Sequence, residues 1–227
     1  THSHADHIAG VVRHCASRKL LGLPAPTYVV GHEDAENFVR FMEAASKLVR
    51  SDMEYNLTVV SPGDRVDINK QLCVRSYRSI HRAPCQGYVV SEVRSKLKTE
   101  FHGLDGSKLQ QLRESGQQLS EDVETPLVSY TGDTTIDVFF KESVLQKVKV
   151  LITEVTFFDD AVDKFESKKR GHMHIDDIID NPELFCQAGI VLMHASSRFS
   201  NDDIQKILQQ KMPESLLSRI HLVPNSG

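Results

Sequence analysis

Apolar residues along this chain switch repeatedly between a helical and an extended spacing. From Ile8 to Leu20 they fall at Ile8, Val11, Val12, Cys15 and Ala16, one face of a helix, and Gly22 follows as a stop. "PTYVV" (26–30) is a short β-branched run and predicts a strand. Between Glu33 and Leu48 the stripe Ala35, Phe38, Val39, Met42 and Ala45 predicts a second helix. "LTVVSPGD" (57–64) is a strand closed by a turn, and "QLCVRSYRSI" (71–80) and "GYVVSEVR" (87–94) are strands flanking "HRAPCQ". Residues 96–126 are polar and undecided, apart from a short helix in "SKLQQLRESG" ending at Gly116. "PLVSY", "VKVLITEV" and "GIVLMH" are apolar strands, the last two expected to be buried on both faces. "HIDDIID" and "DDIQKILQQ" read as helices and "RIHLV" as a last strand. Strands alternating with helices, without repeats or linkers, predict one α/β domain over residues 1–227.

Composition narrows this little. The 227 residues are 40% hydrophobic and 26% charged, as in ordinary globular chains. No apolar run reaches the ~18 residues of a membrane span. A net charge of −4 excludes a nucleic-acid footprint spread over the whole surface, but not a local basic face. Cys15, Cys73, Cys85 and Cys186 are scattered without a CxxC pair, which fits a reduced intracellular protein. The chain opens inside a motif, so targeting is not legible.

That motif changes the picture. "THSHADHIAG" places three histidines and an aspartate in its first seven residues. Alternate residues His2 and His4 point the same way and can hold one metal ion, while Asp6 and His7 enter the helix and can face a second. Imidazole and carboxylate donors without thiolates suit Zn²⁺ and related divalent ions and leave positions open to water. Two ions ~3.5–4 Å apart can activate a water and clamp a displacement at phosphorus or carbon. Three further polar clusters follow strands: "HRAPCQGY", "YTGDTT" and "HASSRF". Sites in α/β folds lie past the carboxyl ends of strands. One histidine there is ordinarily bonded to a carbonyl, and one GDT is ordinarily a turn. All of them beside HxHxDH point to a metal centre.

HxHxDH, a later histidine, a GDT aspartate and a final histidine resemble the metal set of the metallo-β-lactamase superfamily. The finer resemblance is to ribonuclease Z, the tRNA 3′-end endonuclease. "HRAPCQGY" is similar to HxxPCxGY of that family, "TEVTF" stands where it has HEATF, "GHMH" where it has HST, and "HASSRF" is close to HFSSRY. The resemblance runs from Thr1 to about Ser200. It implies an αββα sandwich whose first ~50–60 residues, a run of strands, would precede HxHxDH. It implies two divalent ions, zinc first and manganese as the alternative. His2, His4 and His81 would hold one, Asp6, His7 and His194 the other, and Asp133 would bridge. Asp6 would also orient the attacking water as general base, and Glu154 and His172 would be the relay that protonates the leaving 3′-oxygen. That pair makes sense unaided, since a neighbouring carboxylate raises an imidazole's pKa. Arg198 would meet a substrate phosphate, the alternative being a surface ion pair. His174 is expected at a helix start, and His14, His32, His102 and His221 stay unassigned.

The implied substrate is precursor tRNA, with no membrane partner and a homodimer as the assembly. One departure bears on this. The family's tRNA-gripping arm lies between the third histidine motif and GDT, on a Gly-Pro-rich stem. Here 51 residues separate His81 from Asp133 and no Gly-Pro pair occurs among them. Weaker tRNA binding is therefore expected. A metallohydrolase of a small ester, lactone or cyclic phosphodiester stays open. So does a non-catalytic RNA- or protein-binding module, although all seven ligand positions are filled.

Overall fold

A computed structural model describes residues 1–224. Its elements are α1 (Ala5–Leu20), β1 (Thr27–Gly31), α2 (Ala35–Val49), β2 (Asn56–Val60), β3 (Arg65–Asp67), β4 (Leu72–Ser79), β5 (Cys85–Leu97), α3 (Gly106–Glu114), β6 (Ser120–Tyr130), α4 (Asp137–Lys141), β7 (Val150–Glu154), α5 (Lys164–Arg170), α6 (Ile175–Asp180), β8 (Gly189–Met193), α7 (Asn201–Lys211), α8 (Glu214–Leu217) and β9 (Ile220–Leu222). Strands β3 to β9 form one sheet in chain order, while β1 and β2 pair in parallel as a separate small sheet. From β3 to β6 the large sheet is antiparallel, and from β6 to β9 it is parallel.

The layers run helix, sheet, sheet, helix. On one side Ile8 and Cys15 of α1 pack with Phe38 and Met42 of α2 against Tyr28, Val30 and Leu57 of the small sheet. On the other, Val138, Phe139, Ile175, Ile178, Ile204 and Leu208 cover Leu151, Ile190 and Leu192 of the large sheet. Between the sheets, Tyr88 Oη donates to the Val29 carbonyl at 3.1 Å and Gln86 Nε2 to that of Val60 at 3.3 Å. Alternation along β5 explains this, since Gln86 and Tyr88 share one face and Val89 lies on the other.

Three sequence expectations need correction. Strands β7 and β8 are buried on one face and only half-covered on the other, rather than buried on both. The undecided stretch 96–126 carries α3 between the ends of two long strands: β5 runs on to Leu97 and pairs with β6 from Ser120, with a register shift at Val90 and Ser91. Past Val93 this hairpin leaves the core, with Arg94 to Leu97 exposed, so no hydrophobic alternation marks it. The elements β3, α4, α5 and α8 are too short to set up an apolar period.

Candidate metal centre and proton relay

Four strands deliver the site to one sheet edge. β4 and β5 are antiparallel, as are β5 and β6, so β4 runs with β6, β7 and β8. Their carboxyl ends therefore face one way, and His81, Asp133, Glu154 and His194 lie at or just past them. The GDT turn needs its glycine. Gly132 has φ +61, and a Cβ there would sit 2.7 Å from the Thr1 side chain. His194 itself holds φ 62, a left-handed conformation unusual for a side-chain-bearing residue, directly after β8. From the opposite wall come His2 and His4 before α1, and Asp6 and His7 in its first turn.

Asp133 Oδ2 is the focus. It lies 3.3 Å from His7 Nε2, 3.5 Å from His194 Nε2, 3.7 Å from His2 Nε2 and 4.0 Å from His81 Nε2. Ligand-type atoms gather in overlapping clusters: His2, His4, His81 and Asp133 in one, Asp6, His7 and His194 in a second, and Asp133, His172 and His194 in a third. Asp6 Oδ2 stands 3.4 Å from His7 Nε2 and 3.3 Å from His194 Nε2, on an open side chain.

The donor chemistry fits metal ions. His2, His7 and His81 each bury an Nε2 with no hydrogen-bond partner, an expensive state unless a cation takes the lone pairs. The far nitrogen of His81 is oriented as a ligand requires. His81 Nδ1 donates to the Gly171 carbonyl at 2.9 Å, leaving Nε2 as the acceptor. Burial, then the charge of His7, push His2 down to about 3 against the pull of Asp133, so its ring is neutral and free to ligate. Burial likewise lowers His81. Burial alone would raise Asp133, yet His7, whose Nε2 lies 3.3 Å away, and the charges of His194 and His172 hold it well below the usual carboxylate range.

Beside this centre lies a second, finished network. Glu154 is fully buried, and its Oε1 accepts from His172 Nδ1 at 2.8 Å and from the Thr134 amide at 2.8 Å. Its Oε2 accepts from Thr156 Oγ1 at 2.6 Å and from the Met173 amide at 3.3 Å. With its proton spent on Glu154, Thr156 Oγ1 accepts from His194 Nδ1 at 3.0 Å, which leaves His194 Nε2 as the acceptor nitrogen. Burial pulls His172 down, but the hydrogen bond and charge of Glu154, with Asp133 and Asp6, raise its pKa above the ordinary value. That favours a proton donor, through Nε2, over a metal ligand.

Arg198 faces the site's other flank but is engaged in an ion pair with Asp159 at 3.2 Å, its guanidinium 5.9 Å from the Phe157 ring. His174 caps α6, accepting from the Asp176 amide at 3.1 Å, with Nε2 on the Asp159 carbonyl at 3.2 Å. Thr156 is the functional contact the sequence reading missed. A signal existed: it stands two residues after Glu154, on the same face of an extended strand end.

The fold and the clustered histidines define a metallo-β-lactamase fold protein. Among solved structures, a metallo-β-lactamase fold protein of Bacillus subtilis matches with TM-score 0.62 at 16% identity, covering 99% of this chain and 73% of that one. The short form of human tRNase Z matches with TM-score 0.58 at 17% identity, covering 99% and 74%. No family profile matches. Among curated proteins, a tRNase Z of Arabidopsis thaliana is 35% identical over 222 residues, 97% of this chain and 79% of that protein. The chloroplastic tRNase Z of the same plant is 29% identical, covering 96% and 63%. This chain belongs to the ribonuclease Z (tRNase Z) family.

Proposed function

We propose that the chain is a metal-dependent endoribonuclease that cuts precursor tRNA at its 3′ end, leaving a 3′-hydroxyl. The observation that carries this reading is the Glu154–His172 pair set against a centre of seven ligand-type side chains. A proton donor beside the metal ions is needed where the leaving group is an alkoxide, and RNA supplies such a leaving group. Two divalent ions, when bound, lower the pKa of a water and take up charge on the phosphate. The all-imidazole and carboxylate donor set favours zinc.

His2, His4 and His81 would hold one ion and Asp6, His7 and His194 the other, with Asp133 beside both sets. Asp6, whose side chain is exposed, orients the attacking water and accepts its proton. As the new P–O bond forms, the P–O3′ bond breaks, and His172 Nε2 gives its proton to the departing oxygen. Glu154, pinned by the Thr134 and Met173 amides and by Thr156, holds the His172 imidazole in place through Nδ1 until the proton leaves. The assignment brings an intracellular setting and a homodimer with it; sedimentation tests the dimer.

The deciding experiment offers the protein a precursor tRNA with a labelled 3′ trailer, beside bis-p-nitrophenyl phosphate and a lactone panel. Cleavage at the tRNA 3′ end with a 3′-hydroxyl product is expected. Lactone hydrolysis with untouched RNA would move the assignment to a small-ester hydrolase. RNA binding with no hydrolysis of any substrate would make it a binding module.

A further inference from the structure

Two arginines outside the relay frame one end of the site. Arg82 follows His81, and Arg170 is the last residue of α5, next to Gly171 and His172. Their segments touch. His81 Nδ1 meets the Gly171 carbonyl at 2.9 Å across a separation of 90 residues. Gly171 has φ +86, and a Cβ there would stand 2.9 Å from the Arg82 amide nitrogen and 2.9 Å from His81 Nδ1. A glycine at this point lets the two backbones meet and sets Arg82 and Arg170 on the same cleft. That cleft, of about 430 Å³, is lined by His4, His81, Arg82, Ala83, Arg170 and His172. No carboxylate lines it.

The charges are available. Among the described residues, Arg82 has no ion pair or hydrogen bond from its exposed side chain. Arg170 shares the Glu166 carboxylate with Lys169, at 3.0 and 3.7 Å, so two cations face one anion. Its guanidinium lies 5.7 Å from the Phe157 ring, and that ring lies 6.3 Å from the His172 ring. Arg170 is thereby held beside the relay. The flank on the His194 side differs. Its cleft, lined by Asp6, His194, Arg198, Ser200 and Asp203 among others, carries carboxylates, and its arginine is already paired with Asp159. Cations in the last turn of α5 also complement the helix dipole. That accounts for Arg170 but not for an unpaired Arg82 facing the same space.

We propose that Arg82 and Arg170 form a phosphate subsite for the backbone phosphate immediately 5′ of the scissile one. The inference rests on the endoribonuclease reading. His172 protonates the departing 3′-oxygen, and His172 lies in the Arg82–Arg170 cleft. The nucleotide that owns this oxygen therefore enters the cleft with its own 5′ phosphate, and the trailer leaves past His194. Two guanidinium forks suit a phosphodiester anion.

The test uses precursor tRNAs with a single neutral methylphosphonate, one phosphate 5′ or one phosphate 3′ of the cleavage position. Each is cleaved by the wild type, Arg82→Ala, Arg170→Ala and the double variant. Neutralising the 5′ phosphate is expected to lower wild-type kcat/KM by about 10–100-fold, the scale of a charged hydrogen-bonded contact. The double variant should lose a similar factor on unmodified RNA and nothing more on the 5′-modified one. The 3′ modification should cost wild type and variant alike. For binding of mature tRNA, the salt slope should shrink in the double variant by about 0.7, one phosphate's worth. Metal content and melting temperature check that the variants fold, and the wild-type arm needs no variant at all. No loss on 5′ neutralisation, coupling to the 3′ phosphate instead, or equal losses on every substrate would each overturn the subsite. A wild type that fails to cut unmodified precursor would instead remove the endoribonuclease reading on which the subsite stands.

Discussion

The two walls of the site are built to different standards. Behind Asp133, Glu154, His172 and His194 lies a continuous core from Tyr77 to Leu216, with Val138, Phe139, Leu151, Ile175 and Ile190 fully buried. Behind His2, His4, Asp6 and His7 lies a cluster of four buried residues, Ile8, Cys15, Phe38 and Met42, among the described residues. The same layer exposes Leu20 at 88%, Leu48 at 83% and Val59 at 48%. The relay is thus held by packing and by satisfied hydrogen bonds. The HxHxDH wall carries orphaned imidazole nitrogens, which would make bound ions part of what fastens it. Metal is then both chemistry and staple.

Chelation should break that comparison most completely. All hydrolysis should vanish, and added Zn²⁺, Mn²⁺ or Co²⁺ should restore it, with two equivalents per chain by elemental analysis. At free metal about 100 times Kd, binding adds about 2.7 kcal/mol per site to stability. Hydrogen exchange in the chelated protein should quicken in α1 and the β1–β2 pair before β7 and β8. Full activity without metal would sink the assignment. Asp133→Ala removes the carboxylate that faces imidazoles of both walls, and should cost at least about 100-fold in rate. Full activity with both ions bound would reduce GDT to a turn.

The relay lies wholly on the well-packed wall, so its loss should be selective. His172→Ala should slow RNA cleavage by about 10²–10⁴-fold, the usual worth of a positioned acid. Hydrolysis of p-nitrophenyl esters, whose leaving group departs unaided, should barely change, and metal content should stay constant. Glu154→Gln should act in the same direction, less severely. It should also move the alkaline limb of RNA cleavage to lower pH. The active form is protonated His172, which is lost as pH rises through a pKa that Glu154 holds up. Equal losses on both substrates, or a lost ion, would reject the relay.

The same contrast explains what could be read from the chain beforehand. HxHxDH and the strand-end histidines are local patterns, with donors brought together by a spacing of two or by shared strand polarity. The two main helices α1 and α2 and the inner strands show because one face of each is apolar. The outer half of the β5–β6 hairpin buries nothing on Arg94 to Leu97 and leaves no pattern. Arg82 and Arg170 were silent for another reason. They become neighbours only through the His81–Gly171 contact, 90 residues apart, which no local spacing encodes. His172 is legible through the resemblance, whereas His174 is legible from position alone as a residue at a helix start, where it caps α6.

The smallest effect tests how the two metal clusters are fastened. The His2, His4 and His81 cluster is oriented by a backbone carbonyl, Gly171 to His81, which side-chain substitution does not remove. The Asp6, His7 and His194 cluster depends on a hydroxyl, because Thr156 Oγ1 accepts from His194 while donating to Glu154. Thr156→Val keeps the shape and deletes both bonds. His194 Nδ1 then loses its orienting partner, and Glu154 loses one of four donors. An orienting partner of a metal ligand is worth about 10–100-fold in affinity or activity, and the open setting of His194 puts this one near the lower end. Metal titration of Thr156→Val should become biphasic, with one equivalent about 10-fold weaker and the other unchanged, and RNA cleavage should fall by a similar factor. Thr156→Ser, which keeps the hydroxyl, should restore both. Two equally weakened ions would mean that the clusters are fastened as one unit. A single unchanged phase in the valine variant would leave Thr156 a packing residue, and would place the orientation of His194 in its left-handed backbone alone.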